Sequence, residues 1–311
     1  MHELILHHYP ASPFAEKARL MMGFKQLSWR SVMIPPVMPK PDLTALTGGY
    51  RKTPVLQIGA DIYCDTALMA RRLEAEKATP ALFPEGLELI APAFAQWADS
   101  LVFQNAVALV FQPESMAARF GKMPEAMVKA FMADRQALFS GGAAKRVPGD
   151  QAKSFWPLLM ARLETQLSRE NGDFLFGEPS IADLSMAHPL WFLKQNPVTG
   201  VLLDGYPAVQ AWLQRVLGFG HGSHTDLSAD EAIEIARAST PVALPDESFV
   251  DPNGFTVGRQ VAIAAVDYGV DPVEGELLHA GLEELILRRE DPRAGVVHVH
   301  FPRQGFAIEA R

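Results

Sequence analysis

The chain has 311 residues, 48% of them hydrophobic and 21% charged, with mean hydropathy +0.04, the balance of a soluble globular protein of two or three domains. That composition excludes a mostly disordered chain, a fibrous repeat and a membrane bundle, and no stretch approaches the ~18–20 apolar residues of a membrane-spanning helix. The single cysteine, Cys64, excludes an intrachain disulfide, a Cys-based zinc cluster and a CxxC redox pair.

With no basic leader at the start, a cytoplasmic location is expected. A formal net charge of −8 disfavours nucleic acid as a partner. The charge is uneven. Residues 1–80 carry 10 Lys/Arg against 7 Asp/Glu, whereas residues 225–311 carry 7 against 16 and no lysine. The basic first segment suits a small anionic ligand, and the shift near residue 225 marks a candidate boundary.

Leu4–His7 is a short apolar run of strand type, stopped by Pro10. Ser12-Pro13 then reads as a helix N-cap followed by proline at the first helical position. The helix places Phe14, Ala18 and Met21/Met22 on one face and ends near Gly23. Ser28–Ile34 is a second strand. Pro54–Ile58 and Asp61–Tyr63 form a hairpin turning at Gly59-Ala60, and a helix starts at about Asp65. This order predicts a small α/β domain over residues 1–78.

After the proline-bounded linker Thr79–Pro84 the period becomes helical. Phe155, Leu159, Leu163 and Leu167 fall at i, i+4 spacing; Ile181, Leu184, Ala187 and Trp191 make another stripe, and Val209, Leu213 and Val216 a third. Ser180-Ile-Ala-Asp183 is an acidic variant of the capping box. An all-α domain over 85–222 is expected. From 227 to 311, a short helix (Ala229–Arg237) and proline-rich turns precede the β-branched runs Val257–Val266, Leu285–Arg288 and Val296–Phe301. These predict a compact, barrel-like β-rich module.

Four features lie in a telling order: Tyr9-Pro-Ala-Ser-Pro-Phe-Ala-Glu-Lys-Ala-Arg19 after the first strand, Arg51-Lys-Thr-Pro-Val-Leu56 before the third, Asp65-Thr66 at a helix start, and Ser180-Ile-Ala-Asp183 in the helical part. Together they resemble the glutathione S-transferase family, a thioredoxin-like domain followed by an all-α domain. The Ser-Pro-Phe segment is similar to the plant tau class, and to the omega class with serine in place of its cysteine. The resemblance covers residues 1–220 and leaves the last ninety or so unexplained. It implies glutathione as co-substrate, a homodimer and no metal.

Glutathione's thiol, at a reference pKa of ~8.5, is mostly protonated at neutral pH, so an enzyme must favour the thiolate. The resemblance makes Ser12 the hydroxyl that would donate to the sulfur, backed by the helix dipole; a plain N-cap is the bland alternative. Tyr9 is the second choice. Thr53-Pro54 resembles the family's cis-proline turn, whose backbone pairs with the cysteinyl unit. Lys52 would meet the glycyl carboxylate, with Arg51 and Lys40 as weaker candidates. Asp65 would take the ligand's ammonium, and the Thr66 hydroxyl with the helix N-terminus its γ-glutamyl carboxylate. Asp99 is a candidate for reaching a ligand across a dimer interface.

Other residues carry less. Cys64 reads as core. His298 and His300 alternate on one strand face with no acidic partner near them in sequence, and read as hydrogen-bonding or surface residues. Asp267-Tyr-Gly269 and Val297-His-Val-His-Phe-Pro-Arg303 look like parts of a defined module without assigned chemistry. The leading expectation is a glutathione transferase acting on a small apolar electrophile, with no membrane or nucleic-acid partner. A non-catalytic binding or scaffold protein of the same fold stays open, as does a glutathione-dependent isomerase or dehalogenase.

Overall fold

The computed structural model describes residues 3–169 and 172–311, so the first two residues of the N-terminal segment read for a leader lie outside it. Strand β1 (Leu4–His8) is buried throughout. It pairs parallel with β2 (Ser28–Met33) and antiparallel with β3 (Val55–Ile58), which turns back into β4 (Asp61–Cys64). Helix α1 (Pro13–Phe24) starts as its sequence requires, with Ser12 accepting from the Ala15 N–H and proline in the first turn. Helices α2 (Pro41–Thr47) and α3 (Thr66–Glu76) complete a thioredoxin-like unit. At the far end of α1, buried Lys25 donates to the carbonyls of Lys77 (2.6 Å) and Pro80 (2.7 Å), tying the helix to the linker.

The helical part begins with α4 (Ile90–Trp97), passes through a π-helical turn (Ala98–Val102) and continues as α5 (Phe103–Val110). Helices α6 (Pro113–Phe120), α7 (Glu125–Leu138), α8 (Gly149–Leu167), α9 (Ile181–Lys194), α10 (Pro197–Gly200) and α11 (Pro207–Leu217) follow. Helix α9 is buried over most of its length and packs on α1, α4, α5 and α11. The capping box read at Ser180 and Asp183 is present. Buried Asp183 also accepts from the Leu175 N–H (2.9 Å) and Trp212 Nε1 (2.9 Å), so one carboxylate satisfies donors of three segments.

Beyond α11 the chain returns to the first domain. Strand β5 (Ser223–Asp226) adds parallel to β2, and α12 (Ala229–Ala238) packs on α2. Then come β6 (Gln260–Ala265), β7 (Val273–Ala280), β8 (Glu284–Asp291), β9 (Gly295–Pro302) and β10 (Phe306–Ala310). They pair antiparallel in the order β10-β6-β7-β8-β9, and β9 lies parallel to β4. The barrel-like expectation gives way to one open sheet of ten strands, order β10-β6-β7-β8-β9-β4-β3-β1-β2-β5. The physical reason is the free edge of β4, which accepts β9 in place of closure. Apolar residues of both parts share one core: Val55, Ile62 and Cys64 pack with Val261, Leu285, Val297 and Phe301. The reading of Cys64 as core holds; it is buried.

Two histidines of β1 are buried in this frame. His7 Nε2 lies 2.8 Å from Gln57 Oε1, and His8 contacts Ser31 Oγ (3.1 Å) and Arg19 Nη1 (3.0 Å). Burial lowers the His7 pKa to about 4, and burial aided by the Arg19 charge lowers His8 to about 3. Below the ordinary histidine range the unfolded chain therefore binds protons that the folded chain excludes. Stability falls as pH drops from about 6.5 towards 4, with a limiting slope of ~1.4 kcal/mol per pH unit for each histidine. Urea unfolding at a series of pH values across that window should show the decline, and His7→Gln should make it shallower. An unchanged slope in that variant would exclude His7 as a source.

Candidate functional site

A cavity of about 430 Å³ opens where the thioredoxin-like unit, the helical part and the β-rich segment meet. Phe14 and Lys17 of α1, residues 52–54, Asp65 and Thr66, and Asp99 form its inner walls, and Asp267, Tyr268 and Phe306 close it from the far side. The fold thus gathers Lys52, Thr53, Pro54, Asp65 and Thr66 around one space. Ser12 and Tyr9 are not among its lining residues.

The Thr53–Pro54 peptide is cis, the geometry expected of that turn. Asp65 has a positive φ (+74°) with ψ +138°, a backbone conformation uncommon for a residue with a side chain. There it caps α3, Oδ1 accepting from the Ala67 N–H at 2.9 Å. Oδ2 has no hydrogen-bond partner among the described residues and is free for a cationic ligand group. Thr66 is buried at the N-terminus of α3, where backbone N–H groups and the helix dipole favour an anion.

Of the three candidate cations only Lys52 reaches the cavity. Its Nζ lies 2.6 Å from Asp267 Oδ1 and 4.3 Å from the Tyr268 ring centroid. Arg51 instead pairs with Asp134 at 3.0 Å. Lys40 donates to Thr53 Oγ1 at 3.0 Å, and burial, with the charge of Arg135, lowers its pKa to about 8.

Ser12 is 3% exposed and its Oγ accepts from the Ala15 N–H at 3.2 Å. Among the described residues no acceptor takes its hydroxyl proton. Tyr9 is half-buried, its ring centroid 6.0 Å from Lys40 Nζ. Phe14, two residues beyond Ser12, meets the rings of Phe103 (4.7 Å) and His188 (4.6 Å).

Asp99, the candidate for reaching a ligand across a dimer interface, lines this cavity and has partners within its own chain. The π-helical turn holds it with Oδ2 2.5 Å from Lys17 Nζ and Oδ1 2.9 Å from His188 Nε2. Burial pushes its pKa up, but the Lys17 charge and the His188 contact prevail and hold it below the ordinary carboxylate value. An ionised Asp99 therefore neutralises buried Lys17 at the floor of the cavity.

Sequence reasoning missed Lys17 of α1 and the residues that the β-rich segment brings to the site. Its loop is clamped to the helical part: the Ala143 and Ala144 N–H groups donate to the carbonyls of Val266 (2.8 Å) and Asp267 (3.0 Å), and Gly269 N–H donates to Leu138 O (2.8 Å). Tyr268 stacks on Phe139 with centroids 4.8 Å apart. Burial, then the Asp267 charge, raises its hydroxyl pKa well above the ordinary value, so it stays protonated and able to donate. The only advance signal was the Asp267-Tyr-Gly269 unit.

Residues 6–81 match the glutathione S-transferase N-terminal domain family and residues 159–215 the glutathione S-transferase C-terminal domain family. A search of the curated proteins finds no match. Among solved structures, a GST-like protein from Pseudomonas syringae is 62% identical, covers 100% of both chains and superposes with a TM-score of 0.85. A glutathione S-transferase from Sinorhizobium meliloti 1021 is 18% identical, with a TM-score of 0.51 over 69% of this chain and 88% of its own, a likeness of fold. Among the described residues no helix is long and apolar enough to cross a membrane. A thioredoxin-like unit, a helical domain and a relative of the same full length make this chain a member of the glutathione S-transferase family, with a β-rich segment beyond its two family domains.

Proposed function

We propose that the cavity binds glutathione and promotes attack of its thiolate on a small apolar electrophile. The observation that carries this reading is the convergence of cis Thr53–Pro54, Lys52 and the Asp65-Thr66 helix start on one cavity of about 430 Å³. Asp65 takes the ligand's ammonium, while Thr66 and the start of α3 take the γ-glutamyl carboxylate. The backbone of Thr53 pairs with the cysteinyl unit like an added strand. Lys52 takes the glycyl carboxylate once it exchanges Asp267 for the ligand.

The sulfur then points towards α1. Ser12, with an unused hydroxyl proton and the positive end of the helix beside it, favours the thiolate; Tyr9 is the second choice. A two-unit drop in thiol pKa requires ~2.7 kcal/mol of preference for the anion, within reach of one hydroxyl plus aligned amides. Attack is then a matter of positioning the electrophile against the apolar side of the cavity near Phe14. We place the protein in the cytoplasm as a homodimer, with no nucleic-acid or membrane partner.

A second reading, a binding or scaffold protein without turnover, is favoured by a specific observation. Asp267 already neutralises Lys52, and Ser12 is absent from the cavity wall. A glutathione-dependent isomerase or dehalogenase would use the same binding residues; turnover without net thiol consumption would mark the isomerase.

Calorimetric titration of glutathione, with thiolate absorbance followed against pH, separates these readings. Asp65→Ala should weaken binding by about 10–100-fold, the loss of a charge-assisted hydrogen bond. Ser12→Ala should keep the affinity and raise the bound thiol pKa by about one unit, the share of one hydrogen bond. Asp267→Asn should tighten binding several-fold by freeing Lys52. If neither wild type nor Asp267→Asn binds at millimolar glutathione, the transferase reading fails and the scaffold reading leads.

A further inference from the structure

The seam between β4 and β9 brings together three side chains that the proposed reaction does not use. Parallel pairing sets Asp61 opposite His298 and Tyr63 opposite His300. Asp61 Oδ1 lies 3.0 Å from His300 Nε2 and 3.9 Å from His298 Nδ1. All three donor atoms lie within 4.8 Å of one another. The expectation of a hydrogen-bonding histidine holds for His300, and the acidic partner its sequence neighbourhood lacks comes from a strand more than two hundred residues away.

The surroundings are those of a metal-ligand set. His300 Nδ1 lies 3.1 Å from Glu284 Oε2, the carboxylate contact that commonly fixes the tautomer and orientation of a ligating histidine. Its ring stacks on Tyr63 with centroids 4.3 Å apart, which holds it against rotation. The second oxygen of Asp61 is anchored by the Val242 N–H at 2.9 Å. With ligand bonds of ~2.0–2.2 Å, tetrahedral donors sit ~3.3–3.6 Å apart, and the observed 3.0 and 3.9 Å bracket that spacing. The third separation, between the two histidines, lies within 4.8 Å, so forming the set requires their donor atoms to approach each other by up to about 1 Å.

One alternative is a protonated His300 bridging Asp61 and Glu284. It satisfies those two carboxylates but leaves His298 Nδ1 as it is found, buried and without a hydrogen-bond partner among the described residues. A cation satisfies all three donors at once. The His298 side chain is 14% exposed, which gives an ion a path and leaves a coordination position open to water.

We propose that Asp61, His298 and His300 bind one first-row divalent cation of zinc type, which staples the β-rich segment to the thioredoxin-like unit. Two imidazoles and one carboxylate suit such ions better than magnesium or calcium, which prefer all-oxygen shells. Each ligand strand belongs to a different part of the chain, so the ion stabilises the joined sheet rather than either part alone.

The test uses the full-length, tag-free protein after chelator treatment and dialysis. Zinc chloride titrated by calorimetry should bind at one equivalent with micromolar or tighter affinity and raise the melting temperature, and magnesium should do neither. Cobalt(II) should give visible absorption bands of a four- or five-coordinate site. His298→Ala should weaken zinc binding at least about 10-fold and remove the thermal shift, and Glu284→Gln should weaken it by about 10–100-fold. His298→Ala is the decisive variant because its Nδ1 has no partner to lose; circular dichroism confirms that it folds. Absence of stoichiometric uptake by folded wild type, as expected of a merely protonated His300, would overturn the proposal. So would zinc binding unchanged in His298→Ala, which would put the ion elsewhere. If that variant does not fold, the wild-type stoichiometry and cobalt spectrum still decide.

Discussion

The hydrogen-bonded seam between β4 and β9 is the constraint on which the rest of the molecule depends. In the sheet order β5-β2-β1-β3-β4, strand β4 is an edge, with a row of backbone donors and acceptors open to pairing. Pairing with β9 fills that row, extended by the His298 N–H donating to Ala60 O at 3.0 Å. Once β9 is fixed, its antiparallel neighbours β8, β7 and β6 follow in order, and their apolar face falls onto the core built by Val55, Ile62 and Cys64. The loop after β6 then lies over the cavity and the turn before β10 beside it. Site closure is thus a consequence of strand pairing some distance away.

Electrostatics at the cavity floor follows from a second constraint, the burial of α1. Its charged residues Glu16, Lys17 and Arg19 are all buried, which is costly unless each is paired. Each is: Lys17 with Asp99, and Glu16 with Arg19 at 2.6 Å and with His221 at 3.0 Å. Lys17 looks into the helical domain and Glu16 to the returning segment before β5. The helix that brings Phe14 and Lys17 to the cavity is therefore locked to both neighbouring parts, and the hydroxyl of Ser12, just outside the cavity wall, is held by a rigid element.

What the sequence made legible was local. Ser12-Pro13 starting a helix, the hairpin at Gly59-Ala60 and the Ser180/Asp183 cap are each specified by a few adjacent residues, and the structure has them all. Strand β5 was missed because Ser-His-Thr-Asp is wholly exposed and carries no apolar alternation. Strand β7 was missed because Glu274 and Gly275 break its pattern. The larger omissions are long-range. Nothing near Asp267 in sequence announces Lys52, and nothing near His300 announces Asp61. Likewise nothing near Asp99 in sequence announces its contact with Lys17 of α1.

The contact between Lys52 and Asp267 decides where binding energy for an anionic tripeptide must come from. The lysine is already paired at 2.6 Å and lies 4.3 Å from an aromatic face. A ligand carboxylate arriving there replaces one carboxylate with another, so its net gain is small, and Asp267, partly exposed to solvent, is readily rehydrated. At the opposite end Asp65 Oδ1 already caps α3 through the Ala67 N–H, but Asp65 Oδ2 has no hydrogen-bond partner among the described residues. On the proposed glutathione reading, affinity would be set at the Asp65 end, whereas the Lys52 end would report on how firmly the β-rich segment is seated. A change that loosens the loop at Gly142, where a Cβ would meet Asp267 O at 2.0 Å, would act on that second end alone.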